Sequence, residues 1–252
     1  MEPALPTALS ERLLAMADDE IILAHRNSEW TGHAPILEED IAFANIALDE
    51  LGHASIWYGL RESLTGETAD EMVFFREPGD FRNVQLVELP KGDWAFSMVR
   101  QYLFDAAESV MLAQLVDSAY QPLAEAAAKI RREEVYHLRH TSLWLRRLGL
   151  GTEESHRRTQ AALDVVWPYA RQLFSPLPGD ALLVDAGVIP PLDVVQRGWE
   201  GTVRPFLAEC DLNVPDDNLP RRDIPRREHT EALMALLAEM QAVARMDPGA
   251  EW

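Results

Sequence analysis

The chemistry in this sequence gathers at Glu20, Glu50, His53, Asp105, Glu134 and His137. Four of these form two tetrapeptides, Glu50-Leu51-Gly52-His53 and Glu134-Val135-Tyr136-His137. Residues three apart lie on one face of a helix about a turn apart, so a carboxylate and an imidazole at that spacing reach the same ion. Carboxylate-bridged di-iron sites in four-helix bundles use such a pair from each of two helices and one acid from each of the other two. A third copy, Glu153-Glu154-Ser155-His156, reads instead as the polar first turn of a later helix, where acids favour the positive end of the helix dipole.

The partner acids separate the first two copies from chance. In an antiparallel hairpin, residues equally far from the turn stand at one level. Asp105 and the Glu134/His137 pair are centred near Tyr120 or Gln121, and Glu20 and the Glu50/His53 pair near Pro35 or Ile36. Both reflections fall at a break in the helical pattern to within roughly 5.4 Å, one helical turn. Spacing does not choose between neighbours on a helix, so Asp18, Asp19, Glu108 and Glu133 stand as adjacent alternatives. Without metal the same groups would hydrogen-bond across the bundle, but ionisable groups converging in an apolar core are expensive to desolvate unless cations or matched donors neutralise them. Tyr102, a turn before Asp105, reads as a core residue or a donor into the same cavity, and His140 as a surface histidine or a partner of His137. His25, His33 and His229 have no ligand spacing. Trp30, Trp94, Trp144, Trp167 and Trp199 read as core or interface anchors. No glycine-rich phosphate loop, serine nucleophile elbow or dinucleotide fingerprint is present.

The elements that must position these residues are helical, because apolar residues recur at spacings of three and four and alternating runs are nearly absent. The pattern predicts helices over about 9–29, 36–63, 93–119 and 121–149, the third capped by Asp93 and the fourth begun by Pro122. These make two hairpins and an all-α four-helix bundle over about 8–149. The weaker stretch 65–91 reads as a short helix and loop that cross the bundle, with Val84 to Leu89 extended. Further helices over about 153–174, 192–210 and 227–246 are expected to pack on the bundle, making one domain of 1–252.

Composition narrows the function. A net charge of -19 over 252 residues opposes nucleic-acid binding, which needs Lys and Arg in excess at the phosphates. Arg131, Arg132, Arg139, Arg146 and Arg147 read as a solvated helix face. Cys210 is the single cysteine, so intramolecular disulfides and multi-thiolate metal sites are excluded and a reducing cytoplasm fits; Cys210 itself reads as a core residue. The stretch Met1 to Leu9 has no signal-peptide pattern, and no apolar run reaches the roughly 18 residues of a membrane span. A soluble cytoplasmic protein is the expectation.

Several segments go beyond generic helix. Glu29-Trp30-Thr31-Gly32-His33-Ala34-Pro35, Ala44-Asn45-Ile46-Ala47-Leu48-Asp49, Tyr136-His137-Leu138-Arg139-His140, Leu212-Asn213-Val214-Pro215 and Leu237-Ala238-Glu239-Met240-Gln241 resemble the C subunits of phenylacetyl-CoA epoxidases over nearly the whole chain. The resemblance implies a ferritin-like fold, a place in aerobic phenylacetate catabolism, and a homo- or hetero-oligomer in which the chain associates with the catalytic A subunit of a monooxygenase complex. It departs from the C-subunit pattern at His53, where a glutamine is expected. Asp49-Glu50-Leu51-Gly52-His53, Leu103-Phe104-Asp105-Ala106-Ala107 and Glu133-Glu134-Val135-Tyr136-His137 are instead similar to the ligand segments of A subunits. Two expectations follow: a structural partner of the A subunit, and a di-iron oxygenase or oxidase component active in its own right.

Overall fold

The computed structural model describes residues 4–215 and 224–250; the outer bounds of the expected domain, Met1 and Trp252, lie outside them. Its eleven described helices are α1 (Leu5–Ser28), α2 (Leu37–Thr65), α3 (Ala69–Phe74), α4 (Gln85–Glu88), α5 (Trp94–Leu115), α6 (Gln121–Gly149), α7 (Glu153–Ala170), α8 (Asp180–Asp185), α9 (Leu192–Glu209), α10 (Glu231–Met240) and α11 (Ala242–Met246). No strand occurs among the described residues. α1 packs along α2 and α5 along α6, and α2 meets α6 to close the ferritin-like four-helix bundle. α7 and α9 lie against α5, and α8 against α1.

The inward stripe of each bundle helix explains both the fold and the site. On α6 the buried residues Leu123, Ala127, Ile130, Glu134, His137, Thr141 and Leu145 recur every three or four positions, the period that keeps one face toward a core. On α2 the stripe is Phe43, Ile46, Glu50, His53 and Trp57. On α5 it includes Met98, Gln101, Asp105 and Leu112, and on α1 Leu13, Ala17, Glu20, Ala24 and Asn27. Polar residues therefore replace apolar ones at mid-height, with apolar layers above and below. One end carries an aromatic cluster in which Trp94 meets Trp30, Phe43 and Trp144 edge-on at 5.0, 5.2 and 5.4 Å. Trp167 stacks on Trp199 at 5.1 Å beneath α5, so the tryptophans anchor the core as expected. Buried Cys210 does too.

Local chemistry sets the helix ends. Asp93 caps α5 by accepting from the Phe96 N–H at 2.9 Å. Gly66 ends α2 with φ 78°, a left-handed conformation that costs glycine least. A side chain at Gly149 would meet the Cys210 carbonyl at 2.4 Å, so this glycine lets α6 and the end of α9 approach.

The structure corrects several expected boundaries. Val84–Leu89 is not a strand: Gln85–Glu88 form the single turn α4. The backbone N–H groups of Arg82, Val84 and Gln85 donate to Asp18, Asp19 and Gln172 side chains, so the segment needs no strand partner. The third long helix stops at Leu115 rather than Ala119, because Ser118 and Ala119 bond to Val188 and Gly187. The last helix starts at Glu231 rather than Arg227, since His229 is held by Glu88 and the Phe81 carbonyl.

Candidate metal centre

Glu20, Glu50, His53, Asp105, Glu134 and His137 are all buried. Five of them fall into two groups that share Glu50. One comprises Glu20, Glu50, His53 and Glu108, the other Glu50, Glu134 and His137; in each, the donor atoms lie within 4.8 Å of one another. His53 Nδ1 stands 3.8 Å from Glu20 and 3.6 Å from Glu134, and His137 Nδ1 2.7 Å from Glu134 and 3.8 Å from Glu50. The two imidazole centroids are 5.8 Å apart.

Asp105 stands beside these groups with both oxygens engaged. Thr141 Oγ1 donates to it at 2.8 Å and Gln101 Nε2 at 2.7 Å. The same Gln101 nitrogen donates to Glu50 at 2.7 Å, while its carbonyl accepts from Asn27 at 2.8 Å. Glu108, a turn further along α5, supplies the acid that meets the Glu20 group. The two aspartates that precede Glu20 do different work. Asp18 accepts from Tyr58 and Arg76, and Asp19 pairs with Arg226 at 2.7 Å.

Glu133 and Asp49 take a role that sequence reasoning missed. His53 Nε2 lies 2.8 Å from Glu133, and His137 Nε2 lies 3.2 Å from Asp49. Each imidazole is thus held from outside by an acid on the opposite Glu-x-x-His helix. A carboxylate on one ring nitrogen fixes the tautomer and turns the other nitrogen toward a ligand position. The signal was present in the sequence, since an acid directly precedes the glutamate of both tetrapeptides. The crossing between helices was not, because it depends on how α2 faces α6.

The remaining polar and aromatic candidates resolve simply. Tyr102 packs on Phe206 at 4.9 Å, as a core tyrosine does. His140 meets Glu39 at 3.1 Å, His156 contacts the Gly149 carbonyl at 2.8 Å in a first turn, and the five arginines of α6 are exposed.

Electrostatics at the cluster are lopsided. Burial raises the Glu20 pKa well above the usual carboxyl range, and Glu108 and Glu50 add to it. Burial likewise raises Glu108 and Asp105, each reinforced by the Glu134 charge. For His137, burial alone would lower the pKa, but Glu134, Glu50 and Asp105 outweigh it and push it up to about 11. Both oxygens of Glu20, one each of Glu50, Glu108 and Glu134 and Nδ1 of His53 are buried with no hydrogen-bond partner among the described residues, while His137 Nδ1 stands 2.7 Å from the other Glu134 oxygen. Buried polar atoms are normally satisfied, and a convergence of so many unsatisfied acceptors is the environment a divalent cation would complete. The donor set of carboxylate oxygens and imidazole nitrogens fits a first-row transition metal.

Comparison with known proteins gives the chain a family. Residues 1–252 match the family of phenylacetic acid catabolic proteins. The chain is 37% identical over 245 residues, 97% of its length and 99% of the relative's, to the C subunit of the 1,2-phenylacetyl-CoA epoxidase of Escherichia coli (strain K12). It is 27% identical over 176 residues, 70% of its length and 57% of the relative's, to the A subunit of the same organism's epoxidase. With the whole chain matched, this protein belongs to the phenylacetic acid catabolic protein family.

Proposed function

We propose that this chain is a component of a 1,2-phenylacetyl-CoA epoxidase, one ferritin-like domain that packs against the A subunit, and that its polar core binds two irons. Glu20, Glu50, His53, Asp105, Glu134 and His137 are the proposed ligands, with Glu50 shared between the two positions and Glu108 adjoining the Glu20 side. The observation that carries the metal reading is the set of buried oxygens of Glu20, Glu50, Glu108 and Glu134 left without donors beside the unpartnered His53 Nδ1. The likeness to the C subunit along nearly its whole length supports the place in the complex.

When bound, a di-iron centre supplies the binding and reduction of dioxygen. The protein's own groups prepare that site. Glu133 and Asp49 orient His53 and His137 through Nε2. Gln101 holds one oxygen each of Glu50 and Asp105 through a single amide. The aliphatic and aromatic layers on α1, α2, α5 and α6 exclude water, which keeps the carboxylates in need of a cation.

The partner reading draws on the outer faces of α2 and α6. Ile41, Leu48, Val135, Tyr136 and Leu143 are more than half exposed there, on the helices that carry the Glu-x-x-His pairs. Apolar side chains gathered on exposed helix faces favour protein association. No helix among the described residues is long and apolar enough to cross a membrane.

Two measurements test this. Anaerobic loading with Fe(II), followed by elemental analysis, is expected to leave two irons per chain, and Glu134→Ala to remove both. Co-purification with the A subunit is expected to survive that substitution. A chain that stays metal-free under loading retains the partner role and loses the metal one.

A further inference from the structure

The two groups of the cluster are built differently. In one, four donors converge, the carboxylates of Glu20, Glu50 and Glu108 and the imidazole of His53; in the other, three do, the carboxylates of Glu50 and Glu134 and the imidazole of His137. Their imidazoles also stand differently. His53 Nδ1 has no hydrogen-bond partner, with Glu20 at 3.8 Å and Glu134 at 3.6 Å. His137 Nδ1 already meets Glu134 at 2.7 Å, so a cation entering there has to break that contact. The acids of α5 divide along the same line. Asp105 accepts from Thr141 on one oxygen and from Gln101 on the other, and it joins neither group. Glu108, one turn further along, joins the first group and has an oxygen buried without a partner. Arg12 and Arg226 share a cavity wall with Glu108, but they form their ion pairs with Asp180 and Asp19, and among the described residues neither pairs with Glu108.

Resting on the metal reading above, we propose that Glu108 is a seventh protein ligand and that it makes the two metal positions unequal: Glu20, Glu50, His53 and Glu108 take up a divalent cation first, and Glu50, Glu134 and His137 take up the second. Charge count sets the order, because more carboxylates raise the affinity of a site for a divalent cation. When ionised, the first position offers three negative charges and the second two. The contact between His137 and Glu134 widens the difference, since the second position forms only when it is given up, whereas His53 Nδ1 gives up nothing. Asp105 interacts electrostatically with Glu134 and His137, which places its influence on the second position. Its oxygens, each already accepting one hydrogen bond, reach a cation there only through their remaining lone pairs. A chain given a single equivalent of metal therefore carries it beside Glu108.

Co(II) is the probe, titrated anaerobically into the full-length metal-free chain against a chelator of known affinity, with the visible spectrum of the bound ion recorded at each step. The expected result is two Co(II) per chain in two resolved steps. Glu108→Gln should weaken the tighter step by about tenfold or more, since losing even a group that only orients a ligand costs about 10–100-fold, and should change the spectrum of the first Co(II). Asp105→Asn should leave the tighter step and its spectrum unchanged and weaken the second. Glu108→Asp keeps the charge and shortens the reach, so it too should weaken the tighter step. A tighter step that survives Glu108→Gln, that Glu108→Asp preserves in full, or that Asp105→Asn weakens overturns the proposal while the metal reading stands. A wild-type chain that binds no Co(II) and no Fe(II) removes the metal reading, and this proposal with it.

Discussion

Asp18, Asp19 and Glu20 are consecutive acids on α1, all buried, and they meet two different environments. Asp18 accepts from Arg76, Tyr58 and the Arg82 N–H, and Asp19 from Arg226 and the Val84 N–H. Nearby, Glu88 takes His229 at 2.6 Å, Asn83 and the Thr230 N–H. In this flank every acid is matched by donors from the protein. Glu20, turned a third of a helical revolution away, has neither oxygen hydrogen-bonded among the described residues. The contrast separates two uses of buried charge. The flank staples the crossing segment 66–93 and the residues before α10 onto α1, while the core gathers more acids than His53 and His137 can match, a deficit that a bound cation would fill.

The largest effect that would break this comparison is expected at Asp18. Asp18→Ala leaves the Arg76 guanidinium and the Arg82 N–H without their acceptor, and removing one partner of a buried pair costs about 3–5 kcal/mol. Denaturant unfolding of the metal-free chain measures it. A loss under about 1 kcal/mol, the range of exposed pairs, would mean that the flank is not a matched network.

Proton linkage sharpens the other side. Glu20, Asp105 and Glu108 have folded-state pKa values raised above those of the unfolded chain. A group of that kind contributes stability that is complete below its unfolded value, near 4, and is lost as pH rises through its folded value. His137, raised to about 11, has the same sign from about 6.5 upward. The metal-free chain therefore loses stability as pH rises, through the acids from about pH 4 upward and through His137 between about 6.5 and 11, each by up to about 1.4 kcal/mol per pH unit while it titrates. Iron that occupies the same oxygens removes their demand for protons, so the melting temperatures of the loaded and metal-free forms should diverge as pH rises. Parallel curves would show that the core is satisfied without metal.

Much of this was legible beforehand. The three- and four-residue period placed Glu50, His53, Glu134 and His137 inward, and reflection through the two turns brought Glu20 to their level. Asp105 and Glu108 show where the reading stops. They are one turn apart on the same side of α5, so periodicity assigns both inward; only the neighbours Thr141 and Gln101, on α6 and α5, occupy the oxygens of one and leave the other facing Glu20. Asp18, Asp19 and Glu20 diverge for the same reason, since the arginines that claim the first two arrive from the 66–93 crossing and from Arg226. Val84 to Leu89 was misread because side-chain acceptors from α1 and Gln172 satisfy a backbone that looked in need of a strand.

The two acids that hold the imidazoles bridge the regions compared. Glu133 and Asp49 are partly exposed, so Glu133→Ala and Asp49→Ala should change folding stability by no more than an exposed pair does, about 1 kcal/mol. Metal affinity is expected to fall about 10–100-fold in each, the usual cost of losing the group that orients a ligating histidine. Competition with a chelator of known affinity reads this directly. Equal losses in the two variants would match their crossed arrangement, and no loss in either would remove these acids from the centre.

The smallest effect carries a distinctive sign. Glu20→Gln keeps the shape of the side chain and removes its charge, so the metal-free core no longer has to bury or protonate that carboxyl. Replacing an uncompensated buried charge by a neutral group is neutral to stabilising, and a gain of about 1 kcal/mol is expected in the unfolding free energy of the metal-free chain at neutral pH. The same substitution weakens the Glu20, Glu50 and His53 position, so iron uptake should fall below two per chain. Stability rising while metal content drops is the behaviour of a ligand, and it is opposite to that expected at Asp18 two residues away. If Glu20→Gln destabilises the metal-free chain as Asp18→Ala does, Glu20 belongs with the stapled flank and the division drawn along α1 fails.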